Sequence, residues 1–214
     1  MEPMTDSKNL LECAYYWEKN APDRMVFTQP VAGDASIRTW SWKEAVDEAR
    51  RLATYLKRLN LQERSHIAQC SKNCAYWIIA DLAIWMAGHV SVPIFPILTP
   101  DIVAYILEHS ESKLLFVGKL DPVWDEMKKG VPADMPQIAF PLAPENDHTQ
   151  WDDIIAQHEP LADPVDRSPE ELATIIYTSG STGKPKGAMI SFGAMHKSAK
   201  GVCETLKTNA DDRL

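Results

Sequence analysis

The chain has 214 residues, with 22 Lys+Arg against 30 Asp+Glu, a formal net charge of −8, and 45% hydrophobic residues. That balance describes one globular unit, or one and a fraction, with enough apolar surface for a core that needs neither disulfide nor metal. It excludes a chain-wide nucleic-acid surface, which needs a concentrated basic stripe.

Met1-Glu2-Pro3-Met4-Thr5-Asp6 carries two acids and no apolar run, so it does not read as a secretory signal or a basic transit peptide, and the expected compartment is the cytoplasm. The 19 residues between Asp81 and Asp101 hold no formal charge, but Gly88, Pro93, Pro96 and Pro100 divide them into a helix end, a strand and a turn. No transmembrane segment is expected. Cys13, Cys70, Cys74 and Cys203 read as free thiols.

In chain order, Leu10, Leu11, Ala14, Tyr15 and Trp17 recur at helical spacing after Ser7, and Asn20-Ala21-Pro22-Asp23 ends that helix. Val26-Phe27-Thr28 and Ile37-Arg38-Thr39-Trp40 predict an antiparallel hairpin turning at Ala32-Gly33-Asp34-Ala35. Ser41 and Glu44 form a capping box before a stripe of Ala45, Val46, Ala49, Leu52, Ala53 and Leu56, and that helix ends near Asn60. His66 to Cys70 is a predicted strand. Asn73 is the expected cap of the next helix, whose buried face is Ile78, Ile79, Leu82, Trp85 and Met86 before Gly88.

Val90 to Ile94 begins another strand. Thr99-Pro100 starts a helix through Ile102, Val103, Ile106 and Leu107, and Lys113 to Val117 follows as a buried strand. Strands alternating with helices predict an α/β fold with a mostly parallel sheet.

From Asp121 to Glu171 there are 13 acids against Lys128, Lys129 and Arg167, and eight of the 15 prolines, which marks a surface excursion. Within it, Trp124 and Met127 predict a short helix, Ile138 to Phe140 a strand, and Thr149 to His158 a helix with Ile154 and Ile155 inward. The expected division is 1–170 as an α/β N-terminal subdomain and 171–214 as a strand-loop-strand plus helix that starts the next.

The chemistry concentrates after the apolar run Leu172 to Tyr177. There Thr178-Ser179-Gly180-Ser181-Thr182-Gly183-Lys184-Pro185-Lys186-Gly187 offers three glycines for positive φ and close backbone approach, four hydroxyls and two lysines. Successive N–H groups in such a loop form an anion nest. It is not a Walker A loop, since Pro185 stands where the second glycine belongs, nor a serine-hydrolase elbow, since Gly-x-Ser-x-Gly is absent. A flexible Gly/Ser hairpin, the plain alternative, does not account for the lysines or the buried strand before them.

The run Tyr177 to Gly187 resembles the phosphate-binding signature of the adenylate-forming, or AMP-binding, superfamily, which includes acyl-CoA synthetases, nonribosomal-peptide adenylation domains and luciferases. Thr39-Trp40-Ser41-Trp42-Lys43-Glu44 is similar to the family's early helix-start motif, and Ala87-Gly88-His89-Val90-Ser91-Val92-Pro93 to its Ala-Gly-x-x-x-x-Pro motif. Ile106 to Val117 is most similar to the long- and medium-chain acyl-CoA synthetase (fatty acid-CoA ligase) branch. Phe192 departs from that branch, where many members carry a histidine.

The resemblance implies an ATP-dependent ligase. A carboxylate, with a fatty acid expected, attacks the α-phosphorus to give an acyl-adenylate and pyrophosphate, Mg2+ shares the charge, and the CoA thiol displaces AMP. ATP and pyrophosphate contacts then fall to Thr178, Ser179, Gly180, Ser181, Thr182, Gly183, Lys184, Lys186 and Gly187, with Thr178, Ser181, Thr182 and Lys186 foremost.

The family is more than twice this length, and its later adenine and ribose motifs, the acid that helps hold Mg2+, the hinge and the C-terminal lysine do not occur here. The fragment is expected to be an inactive N-terminal portion that needs its C-terminal remainder, cytoplasmic or membrane-peripheral in the full enzyme. Its unfinished sheet offers an edge for self-association. The rival reading is a non-catalytic nucleotide- or phosphate-binding module, or a partner-binding half-domain.

His66, Cys70 and Cys74 are read as strand and helix-start residues rather than a metal face, and no metal site is assigned. Lys197, Lys200 and Lys207 are read as a solvated face opposite a packed stripe of Met195, Ala199, Val202 and Leu206. Trp17, Trp40, Trp77 and Trp85 are read as packing residues. Asp152-Asp153 are read as a helix start, and Ser168 with Glu171 as a capping box.

Overall fold

A computed structural model of the protein describes residues 9–31, 36–120, 122–179, 184–208 and 212. Helix α1 (Leu10–Asn20) is capped by Asn9, whose side chain accepts from Glu12 N at 3.0 Å. Strands β1 (Met25–Pro30) and β2 (Ile37–Ser41) pair antiparallel as a separate ribbon, and the predicted turn at 32–35 lies outside the described residues.

Helix α2 (Trp42–Arg58) opens with both halves of the Ser41–Glu44 capping box. It buries Ala45, Val46, Ala49, Leu52, Ala53 and Leu56.

The remaining elements are β3 (His66–Cys70), α3 (Ala75–Met86), β4 (Val90–Ile94), α4 (Pro100–His109), β5 (Leu114–Val117), α5 (Trp124–Met127), β6 (Gln137–Ala139), β7 (Thr149–Gln150), α6 (Trp151–Gln157), β8 (Leu172–Thr178), β9 (Lys186–Ser191) and α7 (Phe192–Leu206). They build one seven-stranded sheet in the order β7-β6-β5-β3-β4-β8-β9. Every pairing is parallel except β8 with β9. The α/β class with a mostly parallel sheet is therefore observed.

Alternation along the strands feeds two cores. Ile67, Leu114 and Phe116 pack with α1, α2, α3 and α6, while Ala68, Cys70, Leu115 and Val117 face α4 and α5. Helix α3 ends at Gly88, whose φ of +90° lets His89 N reach Ile84 O at 2.9 Å.

Several local expectations change. Asn73 does not cap α3; Cys74 holds the cap position without a side-chain bond, and buried Gln29 of β1 accepts from Ala75 N at 3.1 Å instead. Ile78, expected inside, is 47% exposed, because the buried residues of α3 lie on its other sides. Thr99 occupies the cap position of α4 but makes no side-chain cap bond.

The expected helix from Thr149 begins instead with β7, since Thr149 and Gln150 pair with Ile138 and Ala139, and α6 starts at Trp151. Ile154 is buried there, and Ile155 is half-buried. Ser168 N does donate to the Glu171 carboxylate at 2.8 Å, yet the motif closes a turn into β8 rather than starting a helix. The stripe on α7 packs only at its start: Phe192 is buried and Met195 packs partly buried against the core, whereas Val202 is 54% and Leu206 63% exposed.

Glu48, which no local pattern marks as buried, lies on the apolar side of α2. Its carboxylate accepts from Trp40 Nε1 at 2.9 Å and Trp151 Nε1 at 3.3 Å and pairs with Arg38, tying β2, α2 and α6 together. Burial pushes its pKa up, opposed by the Arg38 charge and the indole bonds.

Phe192 is wholly buried, edge-on to Trp85 and 4.9 Å from the Arg167 guanidinium, so an apolar ring fills this position. Trp40 and Trp85 are core residues, and Trp17 and Trp77 are half-buried. His66 and Cys70 stand on β3 and Cys74 precedes α3, so the three do not share a helix face.

Candidate functional site

The antiparallel β8–β9 pair is the stem of the glycine-rich loop. Its register sets Thr178 opposite Lys186 and Tyr177 opposite Gly187. Because β8 runs parallel to β4, this opening lies at the carboxyl end of the sheet, where α/β folds hold their ligands. Thr178, Ser179, Lys184 and Lys186 are all exposed there. Gly180, Ser181, Thr182 and Gly183 lie outside the described residues.

Gly187 is required by close approach rather than by positive φ. A Cβ at this position would stand 2.8 Å from Ile175 Cγ2 and 3.2 Å from Tyr177 Cζ. The glycine thus lets β9 lie down on the aromatic ring that ends β8.

On the α4 side the stem rests on a row of three rings. Tyr177 OH and His109 Nδ1 are 2.7 Å apart, the two rings meet edge-on at 5.8 Å, and the His109 ring lies 5.2 Å from that of Tyr105. The Lys184 ammonium sits 5.3 Å from the Tyr105 ring centroid. Burial, followed by Tyr105, raises the Tyr177 pKa, so the phenol stays protonated at neutral pH.

On the opposite face a groove of about 810 Å3 opens along the carboxyl ends of β3 and β4. The chain leaves β3 toward β4 through α3 and leaves β5 toward β6 through α5, and these helices pack on opposite faces of the sheet, so the topological switch point lies between β3 and β5, whose following residues Lys72 and Lys119 line the groove. Trp77, Trp85, Phe95, Ile97, Ile176 and Met195 form apolar walls, and Lys72 and Lys119 add charge. Thr174 and Ile176 of β8 line both the groove and the strand that leads into the loop, which makes the two features neighbours.

Asp81 is in the groove wall. Gln69 Nε2 donates to its Oδ1 and also reaches Ser91 Oγ at 3.1 Å. Burial outweighs the Ser91 and Gln69 hydrogen bonds and pushes the Asp81 pKa up to about 7. Trp77 Nε1 and Gln69 Oε1 are buried without a hydrogen-bond partner among the described residues. The sequence reading missed this groove. Its signal was Asp81 itself, the one charged residue in the helix AYWIIADLAIWM.

Among the described residues no three His, Cys, Asp or Glu side chains gather as a metal set. No described helix is long and apolar enough to cross a membrane. None of the four cysteines is in a disulfide, and burial pushes Cys70 up to about 12, which leaves it unreactive.

Comparison with known proteins agrees with this geometry. A family model described as AMP-binding enzyme matches residues 15–214. Fatty acyl-CoA synthetase A of Dictyostelium discoideum is 31% identical over 163 residues, covering 71% of this chain and 24% of that protein. Tyrocidine synthase 3 of Brevibacillus parabrevis is 32% identical over 151 residues, covering 70% of this chain and 2% of that protein.

Among solved structures, the anthranilate CoA ligase AuaEII with anthranoyl-AMP superposes with a TM-score of 0.72 at 21% identity, over 90% of this chain and 36% of that one. The fatty acyl-adenylate ligase from L. pneumophila, in complex with acyl adenylate and pyrophosphate, gives 0.72 at 20%, over 95% and 34%. The chain therefore spans a minor part of the length of these relatives. With its fold, its loop stem and a family match over most of its length, this chain belongs to the AMP-binding enzyme family.

Proposed function

We propose that the chain is the triphosphate-gripping part of an ATP-dependent, AMP-forming carboxylate–CoA ligase, with a fatty acid as the expected acid. The observation that carries this reading is the stem register, which sets Thr178 against Lys186 at the carboxyl end of the sheet, with Lys184 alongside.

In the first step a carboxylate oxygen forms a bond to the α-phosphorus, and the bond from that phosphorus to the α,β-bridging oxygen breaks. Its electron pair leaves with pyrophosphate. Negative charge grows on the departing oxygens, and donors fixed beforehand stabilise it without waiting for water to reorganise. Thr178, Ser179, Ser181 and Thr182 supply hydroxyls, the backbone of Gly180, Gly183 and Gly187 supplies N–H groups, and Lys184 and Lys186 supply charge. In the second step CoA, acting as its thiolate, attacks the acyl carbon and AMP departs. Mg2+ bound with ATP would neutralise phosphate charge beside Lys184 and Lys186, since it is held largely through the phosphates themselves.

In this reading the 214-residue chain binds ATP or pyrophosphate but does not complete adenylation. A second reading, a phosphate-binding or partner-binding module, draws on the exposed residues of α7 and the outer strand β9, where Met189 is 73% exposed. Calorimetry with pyrophosphate and carboxylate-dependent ATP–pyrophosphate exchange test both. Binding abolished by Lys186→Ala supports the loop assignment, and unchanged affinity sinks it. Exchange by the chain alone overturns its incompleteness, whereas pyrophosphate binding that no carboxylate or complementing C-terminal part converts to exchange favours the module.

A further inference from the structure

Lys184 is held from below. Pro185 disfavours helical backbone at Lys184, and the lysine ammonium lies over Tyr105, a half-buried ring carried by α4, 5.3 Å from its centroid. That ring packs at a tilt of 32° and 5.2 Å against the ring of His109, whose Nδ1 lies 2.7 Å from the Tyr177 hydroxyl on β8. The lysine of the loop and the strand that enters the loop therefore share one aromatic ledge.

We propose that Tyr105 is a positioning residue for the phosphate loop, holding the Lys184 ammonium in place before a polyphosphate arrives; this rests on the reading of the loop given above. A free lysine samples many rotamers, and confining it in advance removes part of the entropy lost on binding. A cation over a ring face keeps N–H donors on the side away from the ring, and these remain available to phosphate oxygens. The ring supplies no atom to the ligand and acts through Lys184 alone.

A contact of this kind at an exposed site corresponds to about a two- to fivefold effect on affinity. The test is the affinity of the 214-residue chain for inorganic pyrophosphate, measured by calorimetry for the parent, Tyr105→Phe, Tyr105→Leu, Lys184→Ala and the Tyr105→Leu/Lys184→Ala double variant. The proposal expects Tyr105→Leu to bind about two- to fivefold more weakly, Tyr105→Phe to match the parent, and Tyr105→Leu to add nothing once Lys184 is gone.

Tighter or unchanged binding by Tyr105→Leu, or an equal loss from Tyr105→Leu in the Lys184→Ala background, overturns the positioning role while leaving the loop assignment intact. Absence of pyrophosphate binding by the parent overturns the loop reading and this proposal with it. Should Tyr105→Leu fail to fold, the Lys184 ε-methylene protons of the parent give an independent answer: the ring face shifts them upfield, and ordinary lysine shifts overturn the contact.

Discussion

Replacing Asp81 by Asn tests the electrostatics of the groove. The carboxyl titrates at about 7 rather than at 3.8, so the folded chain keeps a proton that the unfolded chain has already lost between those values. Stability from this group is therefore full below about pH 4, falls as pH rises through 7, and levels off above it. A gap of about three units at 1.36 kcal/mol each sets a ceiling of about 4 kcal/mol, and relaxation of the groove brings the expected loss to about 2 kcal/mol.

His89, pushed down to about 4 by burial and then by Arg167 and Lys57, acts with the opposite sign between 4 and 6.5. The decisive quantity is therefore the difference between parent and variant. Asn keeps an oxygen for the Gln69 amide and cannot ionise. In urea unfolding at pH 5 and pH 8, a window that holds about two of the three units, Asp81→Asn should gain about 1.3 kcal/mol over the parent at pH 8 relative to pH 5. Parallel pH profiles for the two chains would refute the reasoning.

Other outcomes follow from single contacts. Glu48→Ala strips the acceptor from two indoles and the partner from Arg38, and should cost about 3 kcal/mol, read as a lower denaturation midpoint. Glu48→Gln should cost less, because it still accepts one bond. Gly187→Ala forces a methyl against Ile175 and Tyr177 and should lose about 1–3 kcal/mol along with pyrophosphate affinity; a fully stable variant would contradict the close approach. Lys186→Ala should leave the thermal midpoint within about a degree of the parent, since this exposed side chain supports no core.

Local patterns carried much of the fold. The capping box at Ser41 and the stripe behind it, the apolar strands 66–70 and 114–117, and the breaker at Gly88 each follow from chemistry between near neighbours in sequence. The loop was legible for the same reason: glycines, hydroxyls and lysines within ten consecutive residues need no distant partner to announce an anion site.

Where a residue's role was set by something far along the chain, the sequence was silent. Gln29 replaced Asn73 at the start of α3 because the β1–β2 ribbon packs there. Glu48 sits among apolar residues because Trp40, Trp151 and Arg38 arrive from three other elements to receive its charge. Thr149 and Gln150 became a strand because β6 presents them an edge, and periodicity alone cannot see an edge. The ledge of Tyr105, His109 and Tyr177, and the groove beside Asp81, exist only once α3 and α4 are laid on opposite faces of the sheet. Sequence determined the family, the α/β class and the loop, whereas tertiary structure decided which distant side chains meet, because burial and hydrogen bonding are settled by contacts that no local pattern encodes.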